Sequence, residues 1–109
     1  MKLAIVGSRN LTNIVLDRYI SEEVKEIVSG GAVGVDQIAA EYAKNNAIKF
    51  TEFLPEYERY GRAAPIVRNK KIVDYADKII VFWNGESKGT LSVINYAKKI
   101  GKTVEVVLR

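Results

Sequence analysis

A chain of 109 residues with 48% hydrophobic and 28% charged side chains has room for one hydrophobic core, so residues 1–109 are expected to form a single domain, and this composition excludes both a disordered and a membrane class. The 17 Lys and Arg against 13 Asp and Glu leave a net charge of +4, a mild bias that suits an anionic ligand but is equally common on plain soluble surfaces. With no Cys and no His, disulfides, thiolate nucleophiles, most zinc sites and the usual neutral-pH general base are excluded together.

The chain starts with an apolar run of four residues, 3–6, far too short for a signal or membrane segment, and a cytoplasmic protein is expected. This run predicts a first strand, continuously apolar as a parallel strand covered on both faces must be. A first helix is expected over residues 13–23 and a second strand over 26–28. Val35, Ile38, Ala39, Tyr42 and Ala43 then fall at i, i+3, i+4, i+7 and i+8, the stripe of a helix lying on the sheet. Residues 49–54 predict a third strand. The stretch 55–64, which carries Tyr57, Arg59, Tyr60 and Arg62, is longer than its neighbours and is expected to form a lid or side wall.

Pro65 suits the first position of a helix over 65–76, with Ile66, Asn69, Val73 and Ala76 on one face. Residues 78–82 predict a fourth strand, again continuously apolar. The last helix, 88–100, should turn Leu91, Ile94 and Ala97 inward and end at Gly101 as C-cap, before a fifth strand over 103–108. Right-handed crossovers convert this alternation into an α/β fold, a Rossmann-like three-layer α/β/α arrangement with a five-stranded, mainly parallel sheet.

In such a sheet every strand-to-helix loop emerges at the carboxyl edge, where ligands bind. Glycines, hydroxyls and cations gather in these loops. The first is Gly7-Ser8-Arg9. The second, Ser29-Gly30-Gly31-Ala32-Val33-Gly34, places three glycines within five residues of a helix start, which would let backbone amides approach an anion at the positive end of the helix dipole. The same cluster also reads as a tight turn, and its spacing matches neither GxGxxG nor the Walker pattern. Asp36, in the first turn that follows, is expected to hold the loop by accepting from its amides.

Ser87-Lys88-Gly89-Thr90 opens the last helix with two hydroxyls, a cation and a glycine, suited to a second phosphate or a ribose, with Ser87 equally a helix cap. Arg68 and Asn69 lie in the first turns of a helix rising from the same rim, where Arg68 could serve as a fork for phosphate or carboxylate. Tyr57 and Trp83 stand at strand ends as candidates to stack on a base, Trp83 equally as a core residue. No catalytic residue and no metal ligand is assigned.

In this order, Gly7-Ser8-Arg9, Ser29-Gly30-Gly31-Ala32-Val33-Gly34-Val35-Asp36, Arg68-Asn69 and Ser87-Lys88-Gly89-Thr90 resemble the SLOG superfamily, named for the Smf DNA-processing proteins and the Lonely-guy phosphoribohydrolases. The likeness is closest to its small stand-alone members and runs over nearly the whole chain. It implies a Rossmann-like sheet, a nucleotide or nucleotide-derived ligand and a homodimer. The Lonely-guy branch implies an alternative, a nucleoside 5′-monophosphate N-glycosidase, although Val93 stands where that branch carries its catalytic glutamate. The DNA-processing branch implies a further alternative, single-stranded nucleic-acid binding. The leading expectation is a nucleotide-binding or nucleotide-sensing module without a membrane partner, for which the cofactor considered is Mg²⁺ bridging a bound diphosphate.

Overall fold

The apolar runs pair side by side as five parallel strands: β1 (Lys2–Gly7), β2 (Glu26–Ser29), β3 (Lys49–Glu52), β4 (Lys78–Trp83) and β5 (Thr103–Leu108). The structure, a computed structural model, describes residues 1–11, 13–31 and 34–109. Among these residues the helices are α1 (Val35–Asn45), the single turn α2 (Tyr57–Tyr60), α3 (Ala64–Tyr75) and α4 (Lys88–Lys99). None is long and apolar enough to cross a membrane.

The strand order is β3-β2-β1-β4-β5. The two continuously apolar runs, β1 and β4, therefore lie at the centre, where both faces must be covered. Side chains alternate across each strand and feed two cores. On one face Leu3, Ile5, Ile27, Ile80 and Phe82 pack with Val35, Ala39 and Ala43 of α1. On the other, Ala4, Val28, Ile79 and Val81 pack with Ile72 and Val73 of α3 and with Val93, Ile94 and Ala97 of α4. The expected Rossmann-like fold is the fold observed.

Four local expectations are corrected. Residues 13–23 form no α-helix; a 3₁₀ turn at Leu16–Arg18 takes its place. Ile14, Val15 and Ile20 are β-branched and Asn13 and Ser21 favour turns, so helix propensity is low there. Tertiary packing decides the rest: Leu16 is buried, and Tyr19 meets Phe82 edge-on at 5.1 Å between ring centroids. In α3, Ile66 is 51% exposed, and the inward face is carried by Ala64, Ile72, Val73 and Ala76 instead. In α4, Leu91 is exposed while Thr90, Val93, Ile94 and Ala97 are buried, a rotation that keeps a hydroxyl under the rim. β3 also ends at Glu52, two residues earlier than its apolar pattern predicts, and leaves Leu54 exposed.

At the amino edge of the sheet, opposite the rim loops, Glu26 is buried and accepts hydrogen bonds from Thr51 Oγ1 and Tyr75 Oη, each at 2.6 Å. Lys49 lies 3.6 Å from the same carboxylate, and the Lys2 ammonium sits 4.1 Å above the Tyr75 ring. The hydrogen bonds from Thr51 and Tyr75, more than the charge of Lys49, hold the Glu26 carboxyl below its ordinary value, while the same carboxylate pushes the Tyr75 hydroxyl up. Asp77 is lowered chiefly by the backbone N–H of Lys2, which it accepts at 2.7 Å.

Carboxylates lowered by folding stabilise the native state above their unfolded values, and that stability is lost as the pH falls through the folded ones. The melting temperature should therefore be flat from neutral pH down to about pH 5 and fall as the pH drops below the ordinary glutamate value of 4.5. Glu26→Gln should melt lower than wild type at neutral pH and show a shallower acid decline. Thermal melts followed by circular dichroism at stepped pH check both outcomes.

Candidate functional site

The sheet reverses its winding between β1 and β4, so the loops that follow these two strands part and leave a crevice at the carboxyl edge. Backbone contacts set its floor. The N–H of Ser8 donates to Phe82 O at 3.1 Å, and the N–H of Asn84 donates to Ser8 Oγ at 3.3 Å. Above it lies a cavity of about 440 Å³, in the range of sites for small ligands. Its lining draws on all three of the sequence-predicted glycine and hydroxyl loops and on α3: Gly7, Ser8 and Arg9; Gly30 and Asp36; Arg68 and Asn69; and Ser87, Gly89 and Thr90.

Other predicted residues lie outside this lining. Ser29 is fully buried, its hydroxyl donating to Ile5 O at 3.2 Å, and so supports the loop from below. Lys88 is exposed at the start of α4. Trp83 is half-buried against the α3–α4 core, and its indole N–H donates to Ser87 O at 3.0 Å. Tyr57 is exposed at the start of α2. Ala32 lies outside the described residues.

Arg68 is the cation best fixed in the site. Its Nη1 donates to Gly30 O at 2.6 Å and its Nε to Asn69 Oδ1 at 2.8 Å, so α3 and the glycine loop are tied together through one guanidinium. Partial burial lowers its pKa; Asp36 and Tyr57 oppose this, and Arg9 adds to it. Arginine nevertheless stays protonated at neutral pH. The cavity thus gathers two guanidiniums, Arg9 and Arg68, against one carboxylate, the buried Asp36, and favours an anion.

The glycines turn out to be required by the protein's own atoms at most positions. A Cβ on Gly30 would stand 2.6 Å from the Arg68 guanidinium, and one on Gly7 would stand 2.5 Å from Val35 Cγ2. Gly31 and Gly34 have positive φ, +72° and +80°, and a Cβ on Gly34 would meet Arg9 O at 2.6 Å. Gly89 differs: its φ is ordinary for a side chain and no atom lies within 4 Å of a Cβ placed there. At the start of α4, Ser87 acts as the cap, its Oγ accepting from the Thr90 N–H at 3.3 Å and donating to Thr90 Oγ1 at 3.1 Å.

Asn84 is the residue that motif reading missed. Its side-chain Oδ1 accepts from the N–H groups of Glu86 and Ser87, both at 2.9 Å, and its Nδ2 donates to Asn10 Oδ1 at 3.1 Å. It thereby fixes the loop ahead of α4 and bridges to the loop after β1. The available signal was an Asn-Gly pair at a strand end, a turn signature in which the side chain bonds backbone two residues on; Gly85 indeed has φ +82°.

Carboxylates are otherwise kept away. Glu56 is paired with Lys71 at 3.0 Å, and Val93, at the position where the Lonely-guy pattern has its glutamate, is buried in the core. Among the described residues no three His, Cys, Asp or Glu side chains gather to hold a metal ion.

Residues 1–57 match the family described as DNA recombination-mediator protein A, a span that includes β1, β2, α1, β3 and the first two rim loops. No curated protein and no solved structure matches the chain.

Gly34→Ala should cost about 1–3 kcal/mol, since strain at positive φ and the clash with Arg9 O act together. Gly89→Ala should stay within about 0.5 kcal/mol of wild type. Urea unfolding of the two variants beside wild type measures the contrast.

Proposed function

The chain belongs to the DNA recombination-mediator protein A family, in agreement with the SLOG resemblance of its first two motifs, and from that premise we propose that the carboxyl-edge cavity binds the phosphate and sugar of a nucleotide. The observation that carries this reading is the convergence of Arg9, Arg68 and the capped start of α4 on one cavity at the point where the sheet reverses. The positive end of the α4 dipole adds to the two guanidiniums, so phosphate is the group this site suits best. Asn10 and Asn69 bring further amide groups to the same cavity for ribose hydroxyls or base edges, whereas the Asn84 side chain is engaged in holding the loop ahead of α4.

Binding is better supported than cleavage. Glycoside hydrolysis ordinarily draws on a pair of carboxylates, whereas Asp36 is the one carboxylate among the described lining residues. A second reading, single-stranded nucleic acid, is favoured by the family match, which covers the Gly7 and Gly30 loops.

A thermal-shift panel of the nucleoside monophosphates, ADP-ribose and inorganic phosphate tests the first reading. A ligand at about 100 times its Kd adds about 2.7 kcal/mol, which in a domain of this size raises Tm by roughly 10 °C. Arg9→Met and Gly89→Val should each lower the affinity at least tenfold with little change in the unliganded melt, because both reach the cavity without the loop contacts that Arg68 makes. No shift with any nucleotide refutes the reading. If an oligonucleotide alone binds, with log affinity falling by about 0.7 per contacted phosphate as log salt rises, the second reading replaces it.

A further inference from the structure

Of the seven asparagines in the chain, Asn84 alone is followed by glycine. An asparagine side chain loses its amide when the nitrogen of the next residue closes a five-membered ring on it, and glycine, with no Cβ, hinders that attack least. The loop ahead of α4 presents both reacting groups. Asn84 is half-buried in the cavity lining, while Gly85 is exposed, with φ +82° and no atom within 4 Å of a Cβ placed on it.

The hydrogen bonds set the geometry of attack. Asn84 Oδ1 accepts from the N–H groups of Glu86 and Ser87, both at 2.9 Å, so the side chain folds forward over the Gly85 peptide and carries Cγ toward the Gly85 nitrogen. The same two donors polarise the amide carbonyl and stand where an oxyanion would develop during attack. Before this step the chain is fixed by two further bonds, Asn84 N–H to Ser8 Oγ at 3.3 Å and Arg109 N–H to Trp83 O at 2.9 Å. Among the described residues no acceptor takes the Gly85 N–H, which leaves its proton to water. The positive end of α4 and the guanidiniums at the cavity favour negative charge beside it.

We propose that Asn84 is a site of spontaneous deamidation, and that its conversion turns the cavity from binding anions to repelling them. The Gly85 nitrogen gives its proton to hydroxide and attacks Asn84 Cγ. A new C–N bond forms, the bond to Nδ2 breaks, and ammonia leaves with a proton taken from water. Water then opens the succinimide, at Cγ to give aspartate or at the backbone carbonyl to give isoaspartate; the net change is one water consumed and one ammonia released.

The aspartate product keeps both N–H donors and gains a charge that they and the α4 dipole favour. Its second oxygen, however, replaces the Nδ2 that donates to Asn10 Oδ1 at 3.1 Å, so two acceptors face each other and the bridge between the loops is lost. The cavity then holds a second carboxylate beside Asp36. The modification stands by itself; its consequence rests on the anion-binding reading of the site.

Ageing the folded protein at mildly alkaline pH, with peptide mass mapping, tests the modification. Asn84 should convert about tenfold or more faster than Asn10, Asn45, Asn46, Asn69 or Asn95, and faster in the folded chain than in urea, because the fold holds the attacking geometry. Asn84→Asp tests the consequence: it should melt close to wild type yet bind a nucleoside monophosphate about tenfold more weakly. Conversion at Asn84 no faster than at the other asparagines, or faster in urea than in the fold, overturns the modification. Equal affinity of wild type and Asn84→Asp overturns the consequence. If wild type itself binds no monophosphate or inorganic phosphate, the consequence falls with the anion reading, and the mass map still decides the modification.

Discussion

Everything at the rim depends on the parallel pairing of β1 with β4. Five residue pairs, from Leu3 with Lys78 to Gly7 with Phe82, hold these strands in register, and they end together at Gly7 and Trp83. Because β2 and β3 continue to one side and β5 to the other, the chain leaving β1 and the chain leaving β4 must diverge. The crevice follows from the topology before any side chain is considered. The Ser8 and Asn84 contacts then close its floor with hydrogen bonds to backbone and hydroxyl groups, which satisfies the polar groups of two loops without filling the space above them.

The charges at the rim are held by structure on both sides. Arg68 loses part of its hydration and regains hydrogen bonds to Gly30 O and Asn69 Oδ1. A partly desolvated cation with fixed donors interacts with an anion more strongly than a mobile surface lysine does, because less side-chain entropy is lost and the local dielectric is lower. Asp36 tempers this field by raising the Arg68 pKa that burial lowers. The Glu26 network at the opposite edge of the sheet is a stability element; it is built from the same kind of charge-assisted hydrogen bonds but lies at the amino ends of the strands, away from the cavity.

Much of the fold was legible because its signals were local. Continuously apolar runs marked β1 and β4, Ser87 marked the start of α4, and Gly101, with φ +75°, marked its end. The failures lay where packing overrides pattern. Residues 13–23 carry enough apolar side chains to suggest a helix, yet Leu16 and Tyr19 are placed by contact with the core around Phe82, reached from a 3₁₀ turn. Ile66 and Leu91 mislead for a different reason: the inward face of each helix is rotated away from them, so that Ala64 and Thr90 are buried while Ile66 and Leu91 are exposed. At the site, Arg68 and the Ser87 loop were readable from residue type, whereas the role of Asn84 depends on four partners that only the folded loop brings together.

The glycine loop gains a different meaning from its geometry. Glycines near a helix start suggest room for an anion, but the space beside Gly30 is taken by Arg68, that beside Gly7 by Val35, and that beside Gly34 by the carbonyl of Arg9. These residues bring the protein's own groups close together, and one effect is to seat a guanidinium against a backbone carbonyl at the cavity wall. Gly89 stands apart, since it lines the cavity with nothing near its missing side chain and a backbone that any residue could adopt. Fold stability therefore places no demand for glycine at this position of the cavity lining.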